Sequence, residues 1–397
     1  MKAVDFSNTE IAFAYKTDRQ LRRAARLFRL INRPRIVRFL SGLGIWGVKV
    51  GVPFVEGIIR RTLYTQFVGG AHLEDVEAVI RLLADHGCFS VLDFAVEGKN
   101  EEEELDAAAE EFLAAIRFAT RTESVSVVTV KVSALAPNQA LETWNNDDPA
   151  EAPDPEMARV YQRLDRICRT ASEGGVSVFI DAEQSWYQDA IDDLATQMMR
   201  KYNRDRVVVY QTYQMYRKDR LDYLQNDFEK ARKEGYLLGA KLVRGAYLDG
   251  ERERARARGY PDPILPDKPS VDRHFNSALL FCADRHEHIS VSAATHNLIS
   301  SKLLADKIEE LGLPRNHPRF HFCQLYGMGD DMTFNLARAG YNAAKYLPYG
   351  PVKEVLPYLI RRMEENQAMS YEFNREYQLI VKELKRRSHQ KKQINTK

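Results

Sequence analysis

From about residue 70 onward the chain alternates between two hydrophobic rhythms. Stretches with apolar residues three and four apart predict amphipathic helices, and short β-branched runs bounded by turn residues predict strands. Leu73–His86 reads as a helix stopped at Gly87, and Ser90–Val96 as the first strand. Glu101–Thr120 follows, acidic at its start as the helix dipole favours, and then the strand Val125–Val132. The same alternation gives a helix within Pro153–Glu173, a strand Val176–Asp181, a helix Trp186–Arg200 and a strand Val207–Gln211. It continues with helix Leu221–Glu234, strand Gly239–Val243, helix Val271–Asp284 and strand Ile289–Ala293. Helix Leu298–Leu311, strand Phe320–Gln324, helix Met332–Ala339, a weaker strand Ala343–Tyr346 and a long helix Val352–Ala368 complete it. The strands are continuously apolar, as strands covered on both faces are. Eight such units in roughly 300 residues predict an α/β fold, a (β/α)8 barrel rather than a doubly wound sheet. The only glycine pattern near a dinucleotide fingerprint, Gly42-x-Gly44-x-x-Gly47, has no strand before it.

Composition narrows the class. With 397 residues, 44% hydrophobic and 29% charged, the chain can bury a full core. Its four cysteines have neither CxxC nor zinc spacing and read as reduced core thiols. Lys+Arg 58 against Asp+Glu 56 gives a net charge of +2, which argues against a nucleic-acid partner.

The near-neutral total hides a basic amino end. Nine cationic residues from Lys16 to Arg38 face one acid, Asp18, and Leu21, Ala25, Phe28 and Leu30 interleave with them. An apolar, glycine-dotted stretch follows to Ile59, broken by Lys49, Pro53 and Glu56, so it is not a spanning helix. Two readings fit residues 1–70. The arm lies on an anionic bilayer through residues 16–60, or it packs on the main domain with its arginines in water. The end of the chain, 371–397, reads as a helical extension with a fraying basic tail.

In a barrel, polar residues at the carboxyl ends of strands face the active-site mouth. Here those ends supply Asp93 and Glu97, Lys131 and Ser133, Asp181 and Glu183, Gln211, and Lys241 with Arg244 and Tyr247. The later ends add Thr295 and His296, Gln324 and Tyr326, then Tyr346 and Tyr349. No cluster of His and acidic residues has metal-ligand spacing, so no metal is expected. A mouth rich in Lys, Arg, Gln, Thr and Tyr suits a flat, anionic, multi-acceptor ligand such as a phosphate-bearing cofactor. On the last helix Tyr358, Arg361, Arg362 and Glu365 occupy neighbouring faces, and an arginine fork matches a carboxylate.

Several strings resemble the proline dehydrogenase family over roughly residues 67 to 370. They are Lys241-Leu-Val-Arg244-Gly-Ala-Tyr247, Ala294-Thr-His296-Asn, Gln324-Leu-Tyr-Gly-Met and Tyr358-Leu-Ile-Arg361-Arg362-Met-Glu-Glu365-Asn366. Lys131 and Asp181-Ala-Glu183 fit the same pattern. The resemblance implies a distorted (β/α)8 barrel over 71–370 that holds FAD. It implies oxidation of L-proline to Δ1-pyrroline-5-carboxylate, with electrons passed to a membrane quinone and a separate pyrroline-5-carboxylate dehydrogenase downstream. It assigns the proline carboxylate to Arg361 and Arg362, with Glu365 orienting them and Lys131 adding positive potential. Tyr247, Tyr346 and Tyr358 are then the ring-packing residues, and Asp181 belongs to the polar network beside Lys131. Gln211, Lys241, Arg244, Thr295, His296 and Gln324 are assigned to the cofactor. Many bacterial relatives have arginine where Lys241 stands, so the planar fork is lost here while the charge stays. Expected placement is peripheral, on the cytoplasmic side of a bacterial inner membrane; a soluble cytoplasmic or mitochondrial inner-membrane enzyme is the alternative. The rival activities are hydroxyproline or N-alkyl amino-acid oxidation, and the non-enzyme rival is a membrane-surface scaffold or proline-responsive regulator.

Overall fold

Each β-branched run forms a strand bonded in parallel to the next. In the computed structural model these are β1 (Phe89–Phe94), β2 (Val125–Val130), β3 (Ser177–Ile180), β4 (Val209–Gln214), β5 (Leu238–Val243), β6 (Ile289–Ala294), β7 (Phe320–Leu325) and β8 (Ala343–Tyr349). They close in sequence order, with β8 pairing β1 through Val91 and Tyr346. The structure describes residues 4–32, 55–144, 155–368 and 370–395, without the side chains of 55, 362–368, 370–373 and 394–395. The expected α/β barrel is thus the observed fold.

Alternation along each strand divides two cores. Inward residues such as Val91, Val127, Phe179, Tyr210, Ala344 and Tyr346 fill the barrel. Outward residues such as Leu92, Val128, Val178, Val209 and Leu242 pack beneath the surrounding helices. The sequence pattern ends β4 at Gln211, but the strand runs on to Gln214, with Tyr213 buried under the helix layer. Within the barrel, Asn138–Trp144 and Leu248–Arg258 are helices that the sequence pattern does not predict. The second has almost no apolar stripe, and only Glu251 and Ala255 are buried, so hydrophobic periodicity could not reveal it.

The distortion lies at the last unit. The helix Leu73–Ala84 packs outside β1 and β8, the place an eighth barrel helix would take. The helix after β8, Val352–Ala368, instead brings Tyr358 and Arg361 to the wall of the mouth.

The amino-terminal segment packs on the domain. The helix Asp18–Ile31, opened by a capping box at Thr17, buries Leu21, Ala24, Phe28 and Ile31. These meet Phe67, Val355, Leu359 and Ile380 in one apolar cluster. Residues 33–54, which hold most of the expected apolar stretch, lie outside the described residues. The carboxyl end forms the expected helical extension. Ser370–Asn395 is one helix, and Arg387 on it bonds the carbonyls of Phe13 and Lys16.

Candidate active site

The carboxyl ends of the strands surround a cavity of about 190 Å3. Lys131 follows β2, Asp181 follows β3, Lys241 lies on β5 and Tyr346 on β8, and all four line it. Lys131 Nζ donates to Asp93 Oδ1 at 2.7 Å and lies 3.6 Å from Asp181 Oδ2. The Tyr346 hydroxyl donates to Asp181 Oδ2 at 2.8 Å, while Lys241 bonds the other oxygen of Asp181. Lys241 Nζ also stands 5.0 Å from the centre of the Tyr346 ring and 5.3 Å from that of Phe179. Such contacts favour a desolvated ammonium.

Charge balance keeps Asp181 and Lys131 ionised. Burial alone would raise the Asp181 carboxyl, but Lys241 and Lys131 hold it below its ordinary value. Burial works against the Lys131 ammonium, yet Asp93, Asp181 and Glu97 together hold its pKa above the ordinary value. The Tyr346 phenol is pushed well up, by burial first and by Asp181 next, so it stays protonated and donates.

The helix Val352–Ala368 completes the wall with Tyr358 and Arg361, and Tyr247 lines it after β5. Arg361 bonds both carboxylate oxygens of Glu97, Nη2 to Oε2 at 2.8 Å, and its guanidinium lies 5.6 Å from the Tyr247 ring centre. Burial raises the Glu97 carboxyl, and Arg361 outweighs it and brings the pKa below the usual range. Arg362 and Glu365 lie on the same helix, and their side chains fall outside those described. Glu97 therefore holds Arg361 here.

On the opposite side Arg244 donates to Thr295 Oγ1 at 2.6 Å, to Ser300 Oγ at 3.0 Å and to Asp272 Oδ1 at 2.8 Å. His296 Nε2 accepts the Leu325 N–H at 3.2 Å, and Gln324 donates to the Thr295 carbonyl at 3.1 Å. Arg244, Thr295, His296 and Gln324 all line the same cavity.

One expected residue does not join them. Gln211 points outward, and its amide donates to Asp192 on the helix Gln188–Tyr202 at 2.8 Å. Strand alternation gives the reason: if Tyr210 faces inward, Gln211 cannot, and Thr212 and Gln214 do. A strand ending at Gln211 leaves those two out. The signal was there in the continued run Tyr210-Gln-Thr-Tyr-Gln214.

Thr212 Oγ1 and Gln214 Oε1 are buried and have no hydrogen-bond partner. Unpaired polar atoms on a cavity wall are costly unless a ligand meets them. A hydroxyl and an amide oxygen there, with Lys241 beside them, suit a planar ring edge that carries both carbonyl and N–H groups. Arg244 adds a cation for phosphate. The Lys131, Arg361 and tyrosine end suits a small ring bearing a carboxylate.

The model of the proline dehydrogenase family matches residues 76–375. The carbapenem antibiotics biosynthesis protein CarD of Pectobacterium carotovorum subsp. carotovorum is 37% identical over 352 residues, 88% of this chain and 91% of that protein. Human mitochondrial proline dehydrogenase 1 is 44% identical over 236 residues, 58% of this chain and 39% of the relative. The chain thus spans about two fifths of the human protein's length. In structure, the chain superposes on proline utilization A from Bdellovibrio bacteriovorus with a TM-score of 0.73 at 18% identity, over 92% of this chain and 42% of that one. At that identity the match concerns the fold.

Proposed function

The chain belongs to the proline dehydrogenase family, and we propose on that premise that it oxidises L-proline to Δ1-pyrroline-5-carboxylate with bound FAD, passing the electrons to a membrane quinone. The observation that carries this reading is the placement of Arg361 and Tyr358 over a mouth lined by Lys131, Asp181, Tyr247 and Tyr346. FAD supplies the hydride-accepting chemistry when bound. Thr212, Gln214, Lys241, Arg244, Thr295, His296 and Gln324 are the residues to hold it.

The chain's own groups do the rest. Arg361, with Arg362 and the Lys131 ammonium, takes the proline carboxylate. The three tyrosines pack the pyrrolidine ring and fix which carbon faces the cofactor, a proximity effect. The substrate amine must lose a proton for the C=N bond to form. Asp181, held charged between two lysines, is too weak a base for that, so the proton leaves to water.

The test is turnover of the FAD-loaded protein with a soluble quinone, trapping the product. Accumulation of Δ1-pyrroline-5-carboxylate from L-proline, faster than any product from hydroxyproline or N-methyl amino acids, supports the reading. Preference for one of those competitors replaces it with the corresponding dehydrogenase.

The same reading places the protein at a membrane surface. No helix among the described residues is long and apolar enough to cross a membrane. The apolar side of Asp18–Ile31 is already buried, but Arg19, Arg22, Arg23, Arg26 and Arg29 are exposed. Contact with anionic lipid through that helix is therefore electrostatic. The protein should co-sediment with vesicles containing phosphatidylglycerol at low salt and be released at about 0.5 M salt, where screening is short-ranged. Equal sedimentation with neutral vesicles contradicts this.

A further inference from the structure

Glu183 stands two residues beyond Asp181 and is 2% exposed. Its carboxylate accepts two bonds, both from Ser133: the backbone N–H at 3.0 Å and the hydroxyl at 2.5 Å. The neighbouring cation, Lys131, gives its ion pairs to Asp93 and Asp181 instead. Burying a carboxylate without its own cation is costly. Burial pushes the Glu183 carboxyl up to about 7 even though both Ser133 bonds favour the charged form. A position maintained at such a cost calls for a reason.

The reason lies in what Ser133 touches. It sits in the single turn Val132–Ala134, directly after Lys131. Its carbonyl accepts the N–H groups of Gly98 at 3.1 Å and Lys99 at 3.2 Å, the two residues that follow Glu97. Glu183 also binds through its own backbone. Its carbonyl accepts from Gln214 Nε2 at 3.0 Å, and its N–H donates to Gln188 Oε1 at 2.7 Å. One residue thus ties together the ends of β2, β3 and β4 and the loop after β1. The device recurs nearby: buried Glu251 accepts the N–H and hydroxyl of Ser185 at 2.7 and 2.5 Å, and its helix starts directly after Tyr247.

We propose that Glu183, acting through Ser133, is the positioning residue for the carboxylate-binding half of the site: it fixes Lys131 and Glu97, and through Glu97 the Arg361 guanidinium, at the spacing that a substrate carboxylate requires. The proposal rests on the reading of this cavity as the proline site. Glu183 does not line the cavity, so it acts through the residues that do.

The test uses the FAD-loaded full chain and a probe that binds without turnover, tetrahydrofuran-2-carboxylate, titrated by its effect on flavin absorption. Ser133→Ala and Glu183→Ala should each weaken probe binding about tenfold, the scale of one or two lost hydrogen bonds. Half-saturating proline should rise in parallel, kcat should fall by less than about threefold, and flavin content should be unchanged. Glu183→Gln should recover most of the affinity, because the amide still accepts the Ser133 N–H and can donate to its hydroxyl. Should Glu183→Ala fail to fold, Ser133→Ala carries the comparison. Folded, flavin-loaded variants that bind the probe as tightly as the parent overturn the proposal, and so does Glu183→Gln as weak as Glu183→Ala. A parent that binds the probe but does not oxidise proline, with weakened variants, leaves the positioning role standing and removes the substrate reading alone.

Discussion

Arg361 is the residue on which the substrate end depends most. It is part-buried, bonded twice to Glu97 and stacked near Tyr247, so its guanidinium is aimed before any ligand arrives. Removing one partner of a buried, hydrogen-bonded charge pair costs about 2–5 kcal/mol. Arg361→Ala should therefore raise half-saturating proline by at least about thirtyfold, by the factor of ten per 1.4 kcal/mol, with flavin content retained. Steady-state kinetics with the visible spectrum of the same sample check both; unchanged proline affinity removes Arg361 from the site. At this scale the sequence was informative wherever strand ends could be located. Lys131, Asp181, Lys241 and Tyr346 meet as the strand-end rule requires. Gln211 does not, because which of two adjacent polar residues faces inward depends on one residue of register. The partnership of Arg361 with Glu97 was beyond reach, since 264 positions separate them and no local periodicity links them.

Among elements, the helix Asp18–Ile31 shows the same limit. Its amphipathic pattern is plain, but a stripe of Leu21, Phe28 and Ile31 says only that some apolar surface covers it. The cover is the helix Ser370–Asn395 together with Phe67 and Val355, not a bilayer. Phe28 is fully buried and meets the Phe67 ring edge-on at 6.2 Å. Phe28→Ala should cost about 3 kcal/mol or more, as large-to-small changes of a buried Phe do. Urea unfolding checks this, and a loss under about 1 kcal/mol would show that the helix is not anchored there. The resemblance puts Tyr358 and Arg361 of the helix Val352–Ala368 at the substrate, which requires that helix to swing over the mouth, and both line it. That swing follows from Leu73–Ala84 already filling the place outside β1 and β8.

At the scale of the whole molecule, a buried charge cluster joins the two ends of the chain to the barrel. Asp330 accepts from Tyr15 at 2.8 Å and Lys16 at 2.7 Å, and lies 2.8 Å from Lys345 of β8. Glu376 of the last helix accepts the Gly329 N–H at 2.9 Å, and Arg375 pairs with Asp331. Burial would raise Asp330, but Lys16 and Lys345 pull it well below the carboxylate range. Its stabilising contribution is present at neutral pH and is lost on acidification. Glu376 behaves oppositely. Burial, then Asp330 and Asp331, push it up to about 8. The folded state prefers it protonated, so stability falls as pH rises from about 4.3 through about 8. Glu376→Gln keeps an acceptor for Gly329 and removes that loss. The variant's Tm should exceed the parent's at pH 9 and match it more closely at pH 5, and an equal gap at both values contradicts the assignment.

The central claim is that this cavity takes electrons from proline into a bound flavin. The most direct measurement is anaerobic addition of L-proline to the FAD-loaded protein while the visible absorption is recorded. The account predicts that the oxidised-flavin band bleaches with L-proline and responds less to hydroxyproline. A flavin spectrum that proline leaves unchanged, in protein shown to carry FAD, contradicts it.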